Sequence, residues 1–206
     1  MIRSLALLAL LALVTSQPLA AVPLPHAGPT ARQEQAARVE VTGTTPASAA
    51  DLSPAVPPGA RVIVVVRHGE VLADGTGDPP LSAAGRQRAV ALARIAAAYD
   101  VEAAFATPFR RTRTTAEPSA EWLGLRVEAV PIPAGGIPAH VTDLVARVRA
   151  APGPGALVVG HSNTVPAVIL ALTGVDIGPI AEGEYGRLFV VTLPAEGAPT
   201  VEERAY

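Results

Sequence analysis

Residues 61–67 read Arg-Val-Ile-Val-Val-Val-Arg, a run in which every interior position is β-branched and apolar. A half-buried strand would alternate apolar and polar residues, so an unbroken run of this length predicts a strand covered on both faces. That requirement constrains the rest of the chain, because two helical layers must then exist to cover it. The sequence supplies them. A Gly/Asp/Pro loop spans residues 69–80, and Ser82 is placed to N-cap a helix to about Ala98. In that helix Ala89, Leu92, Ala93 and Ala96 share one face, while Arg86 and Arg88 are expected to point outward. A strand over 103–107 follows, then a helix over 108–123 that Pro118 should kink or break. Further expected elements are a strand at 126–130, helix 139–150, strand 156–160, helix 164–172, and a terminal hairpin of 188–193 with 200–204. Strands alternating with helices predict an α/β three-layer sandwich, its sheet mostly parallel with helices on both faces.

In such sheets ligands bind beyond the carboxyl ends of the strands. The first strand ends in Arg67-His68-Gly69-Glu70, the second runs into Thr107-Pro108-Phe109-Arg110-Arg111, and the fourth ends in Gly160-His161-Ser162-Asn163. Two histidines and several arginines are thereby expected at one sheet edge. Arginine stays protonated and grips phosphate oxygens through a planar fork. A neutral imidazole whose second nitrogen is held by a partner is a nucleophile towards phosphorus. Helices starting at Ser162–Thr164 and Thr107–Arg111 could offer backbone N–H groups to an anion. The cluster reads as an oxyanion site with an imidazole nucleophile inside it. Of the other histidines, His26 falls in a low-complexity stretch and His140 reads as a surface residue.

These segments resemble the histidine phosphatase superfamily, which includes the cofactor-dependent phosphoglycerate mutases. Arg67-His68-Gly69-Glu70 is similar to its Arg-His-Gly signature. Leu81-Ser82-Ala83-Ala84-Gly85-Arg86-Gln87-Arg88-Ala89 resembles its Leu-Thr/Ser-x-x-Gly segment. Arg111-Thr112-Arg113-Thr114-Thr115-Ala116 resembles its Arg-x-x-x-Thr-Ala element and singles out Arg111 over Arg110 and Arg113. Val158-Val159-Gly160-His161-Ser162 resembles its Gly-His segment. The resemblance implies a phosphoglycerate mutase-like fold and a phosphoric monoester hydrolase. In it His68 would become a phosphohistidine while Arg67, Arg111 and His161 hold the phosphoryl oxygens. Asn163 would add a substrate hydrogen bond or else cap the following helix. No metal or other cofactor is implied, since the arginines carry the positive charge. The alternative is a phosphoester-binding module of the same fold without efficient turnover. A metal-dependent hydrolase is disfavoured, because arginines beside both histidines repel a cation.

The resemblance fails at the carboxylic acid that protonates the leaving oxygen in many relatives. The loop at 131–138, where the mutase branch carries it, has no acid. Asp74, Asp78, Asp143, Glu182 and Glu184 are the remaining candidates. The Ser-x-Trp-Asn that follows the signature in mutases is also missing; Val71-Leu72-Ala73-Asp74 stands there. Phosphoglycerate mutation is therefore not expected, while short loops and few aromatic residues make small phosphomonoesters the expected substrates.

Composition removes other classes. All 16 basic residues are arginine and there is no cysteine, which excludes lysine Schiff bases, a Walker-type P-loop and thiol chemistry. A net charge of -2 and 3% aromatic residues give no support for a nucleic-acid partner. Residues 1–21 have a short positive start, a short apolar run and a small-residue stretch, the pattern of a signal peptide. A periplasmic or secreted location is expected, without stable membrane association after cleavage. Residues 22–59 read as a disordered Ala/Pro-rich spacer, and 60–206 as the folded domain; nothing in the pattern sets an oligomeric state.

Overall fold

The computed structural model describes residues 39–41 and 56–206. The signal-peptide reading, His26 and most of the spacer lie outside the described residues. The elements are β1 (Val39–Val41), β2 (Arg61–Arg67), α1 (Ala83–Ala98), β3 (Val101–Ala106), α2 (Arg110–Leu123) and β4 (Val127–Ala129). They continue with α3 (Gly136–Ala150), β5 (Gly155–Gly160), α4 (Thr164–Thr173), β6 (Arg187–Leu193) and β7 (Thr200–Ala205). They form one seven-stranded sheet in the order β1-β7-β6-β2-β5-β3-β4. Strands β2, β5, β3 and β4 pair in parallel, whereas β6 runs antiparallel to both β2 and β7. Strand β1 pairs parallel with β7, so the spacer reading does not extend over these three residues.

The two-sided burial expected of β2 is present: Val62 to Val66 are each no more than 2% exposed. Because side chains alternate across a strand, Ile63 and Val65 enter one core and Val62, Val64 and Val66 the other. The first core is closed by α3 and α4 through Val141, Leu144, Val148, Val165, Val168 and Ile169. The second is closed by α1 and α2 through Leu92, Ile95, Ala96 and Ala116. Helices thus cover both faces in three layers. Each buried valine contributes about 1.5–3 kcal/mol, so the central strand alone is a large share of what holds the layers together.

Helix α1 starts where its cap predicts, the Ser82 hydroxyl accepting from Gly85 N at 3.1 Å. Two expectations are corrected. Arg88 does not point outward. It forks onto the Glu70 carboxylate (Nε 3.0 and 3.1 Å, Nη2 2.6 Å) and also reaches the Tyr206 carbonyl, drawing α1 onto the segment just past His68. Pro118 does not end α2, which runs unbroken through it to Gly124, where a left-handed residue forms the cap. Among the described residues no helix is long and apolar enough to cross a membrane.

Candidate active site

The carboxyl ends of β2, β3 and β5 lie at one sheet edge, as their parallel register requires: Arg67 is opposite Gly160, and Ala106 opposite Val159. The residues just past these ends line a cleft of about 510 Å³. Its walls include Arg67, His68, Phe109, Arg111, Ile132, His161, Asn163, Glu182 and Tyr185. All five site residues expected from the sequence are brought together there.

His68 is 5% exposed and sits on backbone that cannot shift easily. Its N–H donates to the Gly160 carbonyl at 2.9 Å, and the next N–H, of Gly69, donates to Thr115 Oγ1 at 2.9 Å. A Cβ on Gly69 would stand 2.8 Å from the Gly85 carbonyl oxygen, and one on Gly85 would be 2.8 Å from Glu70 N. Both positions must lack a side chain for the first turn of α1 to pack against the backbone after the histidine. Within the ring, Nδ1 lies 2.8 Å from the Gly69 carbonyl. A carbonyl only accepts, so Nδ1 carries the proton and the Nε2 lone pair is left bare. Burial is the largest influence on this imidazole and pushes it down to about 4. The Gly69 bond opposes that shift, and the charges of Arg67 and Arg111 add to it. At neutral pH the ring is therefore neutral.

His161 stands edge-on to His68, with ring centroids 5.3 Å apart. Burial above all, then His68 and the nearby arginines, pushes it down to about 3. Its Nε2 is 2.8 Å from the hydroxyl of Thr107, which is buried and also 2.8 Å from the Thr112 hydroxyl. Sequence reading passed over both threonines; their only signal was position, beside Pro108 and inside the Arg-x-x-x-Thr-Ala element.

The arginines are held differently. Arg67 is 7% exposed, and its Nη1 donates to the carbonyls of Ala181 (2.7 Å), Glu182 (2.7 Å) and Glu184 (3.2 Å). Its guanidinium carbon lies 4.3 Å from the centroid of the Tyr185 ring. Arg67 thereby pins the loop before β6 against the cleft while its buried Nε has no partner. Arg111 lies over Phe109 (4.4 Å) and reaches the Gly77 carbonyl and Asp78 Oδ1 (3.2 Å). Arg110 and Arg113 are exposed.

The helix starts also differ from expectation. The Arg110 N–H at the start of α2 is taken by both Asp78 oxygens, at 3.0 and 2.9 Å, so it does not face the cleft. Asn163 occupies the cap position of α4, yet its side chain makes no cap hydrogen bond and lines the cleft instead. The Thr164 hydroxyl serves the turn by accepting from His161 N at 2.8 Å.

Of the candidate acids, Asp143 is paired with Arg147, Asp74 with Thr76, and Glu184 with Ala181 N. Asp78 spends its oxygens on α2. Glu182 alone among these lines the cleft. His140 is corrected from surface to core: it is 1% exposed on α3, its Nδ1 3.0 Å from the Pro131 carbonyl. Among the described residues, no group of three or more histidine and acidic side chains could hold a metal ion.

The fold is an α/β domain whose strand ends deliver two histidines and two arginines to one cleft. Residues 63–132 match the model of the histidine phosphatase superfamily (branch 1). No curated protein matches the chain in sequence. Solved structures share the fold. The protein histidine phosphatase SixA complexed with tungstate is similar at 22% identity and TM-score 0.57, over 70% of this chain and 96% of that one. A mycobacterial glucosyl-3-phosphoglycerate phosphatase is similar at 19% identity and TM-score 0.52, over 71% and 98%. An Entamoeba histolytica phosphoserine phosphatase in complex with 3-phosphoglyceric acid is similar at 15% identity and TM-score 0.50, over 68% and 94%.

Proposed function

We propose that the chain is a phosphatase that hydrolyses small phosphomonoesters through a phosphohistidine on His68, with no metal ion. The observation that carries this reading is the state of His68: neutral, its Nδ1 proton fixed on Gly69, its Nε2 bare and flanked by two guanidinium groups. Nε2 attacks phosphorus in line with the ester oxygen. The N–P bond forms as the P–O bond breaks, and the alcohol leaves with the electron pair and takes a proton. Water then attacks phosphorus, the P–N bond breaks, and phosphate departs. Arg67, Arg111 and His161 stabilise the charge on the three transferring oxygens, and Asn163 orients the substrate. Glu182 is the proton donor to poor leaving groups, being the acid that lines the cleft. The names of the three similar solved structures given above, each a phosphatase, accord with this activity. We propose further that residues 1–21 direct export, so that the enzyme works in the periplasm or outside the cell.

The test is phosphate release from an aryl phosphate by the full chain in EDTA, beside His68→Ala. An aryl leaving group needs little protonation, so the assay isolates the nucleophile. Turnover that EDTA leaves intact and His68→Ala abolishes is expected. An inert parent that still binds phosphate would favour the binding-module reading. A His68→Ala variant as active as the parent would refute the nucleophile.

A further inference from the structure

The cleft does not stop at the phosphate end. Ser162 and Asn163 also line a second hollow of about 510 Å³, walled by Pro166, Asp176, Gly178, Pro179 and Ile180. These two residues form a saddle at the start of α4, with the histidines and arginines on one side and the second hollow on the other. The charges are sorted across it. The lining contributes two cations, Arg67 and Arg111, both at the phosphate end; the remaining charged lining residues are Glu182 in the first space and Asp176 in the second. The neighbouring cation, Arg187, is already committed. It forks onto Glu203 at 2.7 and 3.0 Å, donates to the carbonyls of Pro179 and Ile177, and stands 3.7 Å from Glu184. The chain has no lysine to reach in from elsewhere.

We infer that the second hollow is the subsite for the alcohol part of the substrate, and that this alcohol bears no second anion: it is neutral or cationic, as in a polyol or an amino alcohol. The inference rests on the phosphatase reading. A carboxylate or second phosphate on the alcohol would meet Asp176 with no cation among the lining residues of the hollow, and like charges near a protein surface repel by enough to matter. A hydroxyl finds partners in the Ser162 hydroxyl and the Asn163 amide, which both donate and accept. An ammonium group gains from the Asp176 carboxylate. This specificity departs from the ligand of the Entamoeba phosphoserine phosphatase structure, 3-phosphoglyceric acid, whose non-phosphate part carries a carboxylate.

Three primary alkyl phosphates decide it, because their leaving groups make similar proton demands: phosphocholine, glycerol 1-phosphate and 3-phosphoglycerate. Both kcat/KM and calorimetric binding are measured for the full chain and Asp176→Asn. The expected order is phosphocholine, then glycerol 1-phosphate, then 3-phosphoglycerate. The last should trail the second by about tenfold, the size of one like-charge contact at an intermediate effective dielectric. Asp176→Asn should shrink the ratio of phosphocholine to 3-phosphoglycerate by about threefold or more. Equal use of glycerol 1-phosphate and 3-phosphoglycerate, or a ratio that Asp176→Asn does not move, would overturn the inference. If none of the three and no aryl phosphate is hydrolysed, the phosphatase reading falls, and the binding order alone then supports or overturns the subsite.

Discussion

Thr107→Val is the sharpest test of how His161 is held. The substitution keeps the shape of a buried side chain and deletes one hydroxyl, the group 2.8 Å from His161 Nε2. The proton positions can be worked out from the partners. The Thr112 hydroxyl donates towards the carbonyls of Thr107 at 2.9 Å and Phe109 at 2.8 Å, so in its contact with the Thr107 hydroxyl it accepts. The single Thr107 proton therefore goes to Thr112, and the Thr107 oxygen accepts from His161. His161 is neutral, being pushed down to about 3 by burial, so it carries a single N–H. That N–H is on Nε2 and donates to Thr107, which fixes the ring edge-on to His68. Valine removes that acceptor and leaves a buried N–H unsatisfied, which costs about 1–3 kcal/mol. The ring is then free to turn, which misplaces it beside the nucleophile. The expected result is a loss of about 1–3 kcal/mol in urea unfolding and a fall in kcat/KM of roughly 5- to 150-fold for an aryl phosphate. KM should rise less than kcat falls, because the contact strengthens in the transition state. Thr107→Ser, which restores the hydroxyl, should recover most of both. A Val variant within twofold of the parent in both readouts would refute this account of how His161 is held.

Other outcomes follow from the same geometry. Gly85→Ala drives a methyl into the Glu70 backbone, 2.8 Å from its nitrogen and closer still to its carbonyl oxygen, and should cost about 1–3 kcal/mol by chemical denaturation; a neutral effect would mean that α1 does not press on this segment. Both site histidines are pushed below the ordinary 6.5, His68 to about 4 and His161 to about 3. The folded chain therefore binds fewer protons than the unfolded one below pH 6.5. Stability should be full above that pH and fall steadily towards pH 4, less so in His161→Asn; a flat urea midpoint from pH 7.5 to 5 would contradict it. Glu182→Gln should slow alkyl phosphates about 10²-fold or more while sparing aryl phosphates, and equal losses on both would remove it as proton donor.

The sheet was legible because its central strand is written without ambiguity: five consecutive β-branched residues admit few placements, and the helices on either side follow from the need to cover them. The meeting of Arg67, His68 and His161 in one cleft was legible for a related reason, since each lies at or just past the end of an apolar strand. What stayed hidden depends on side chains meeting across distance. Thr107 and Thr112 look like ordinary strand-end and helix residues until the packing sets them beneath His161. His140 read as surface because its neighbours are loop-like, whereas α3 begins earlier, at Gly136, and turns that position inward. Arg88 read as outward by helical phase alone; its carboxylate partner lies 18 residues back along the chain. The choice among five acids could not be made from spacing, because it rests on which carboxylates are already engaged by other groups.

The account stands most directly on the covalent intermediate. The full chain would be mixed with phosphorus-labelled aryl phosphate, quenched in alkali within the first turnovers, and the labelled peptide mapped. An acid-labile, alkali-stable phosphate on His68 that accumulates and decays in step with turnover, and is absent from His68→Ala, is the predicted result. Hydrolysis that proceeds at the parental rate with no label on His68, or with label on another residue, would contradict it.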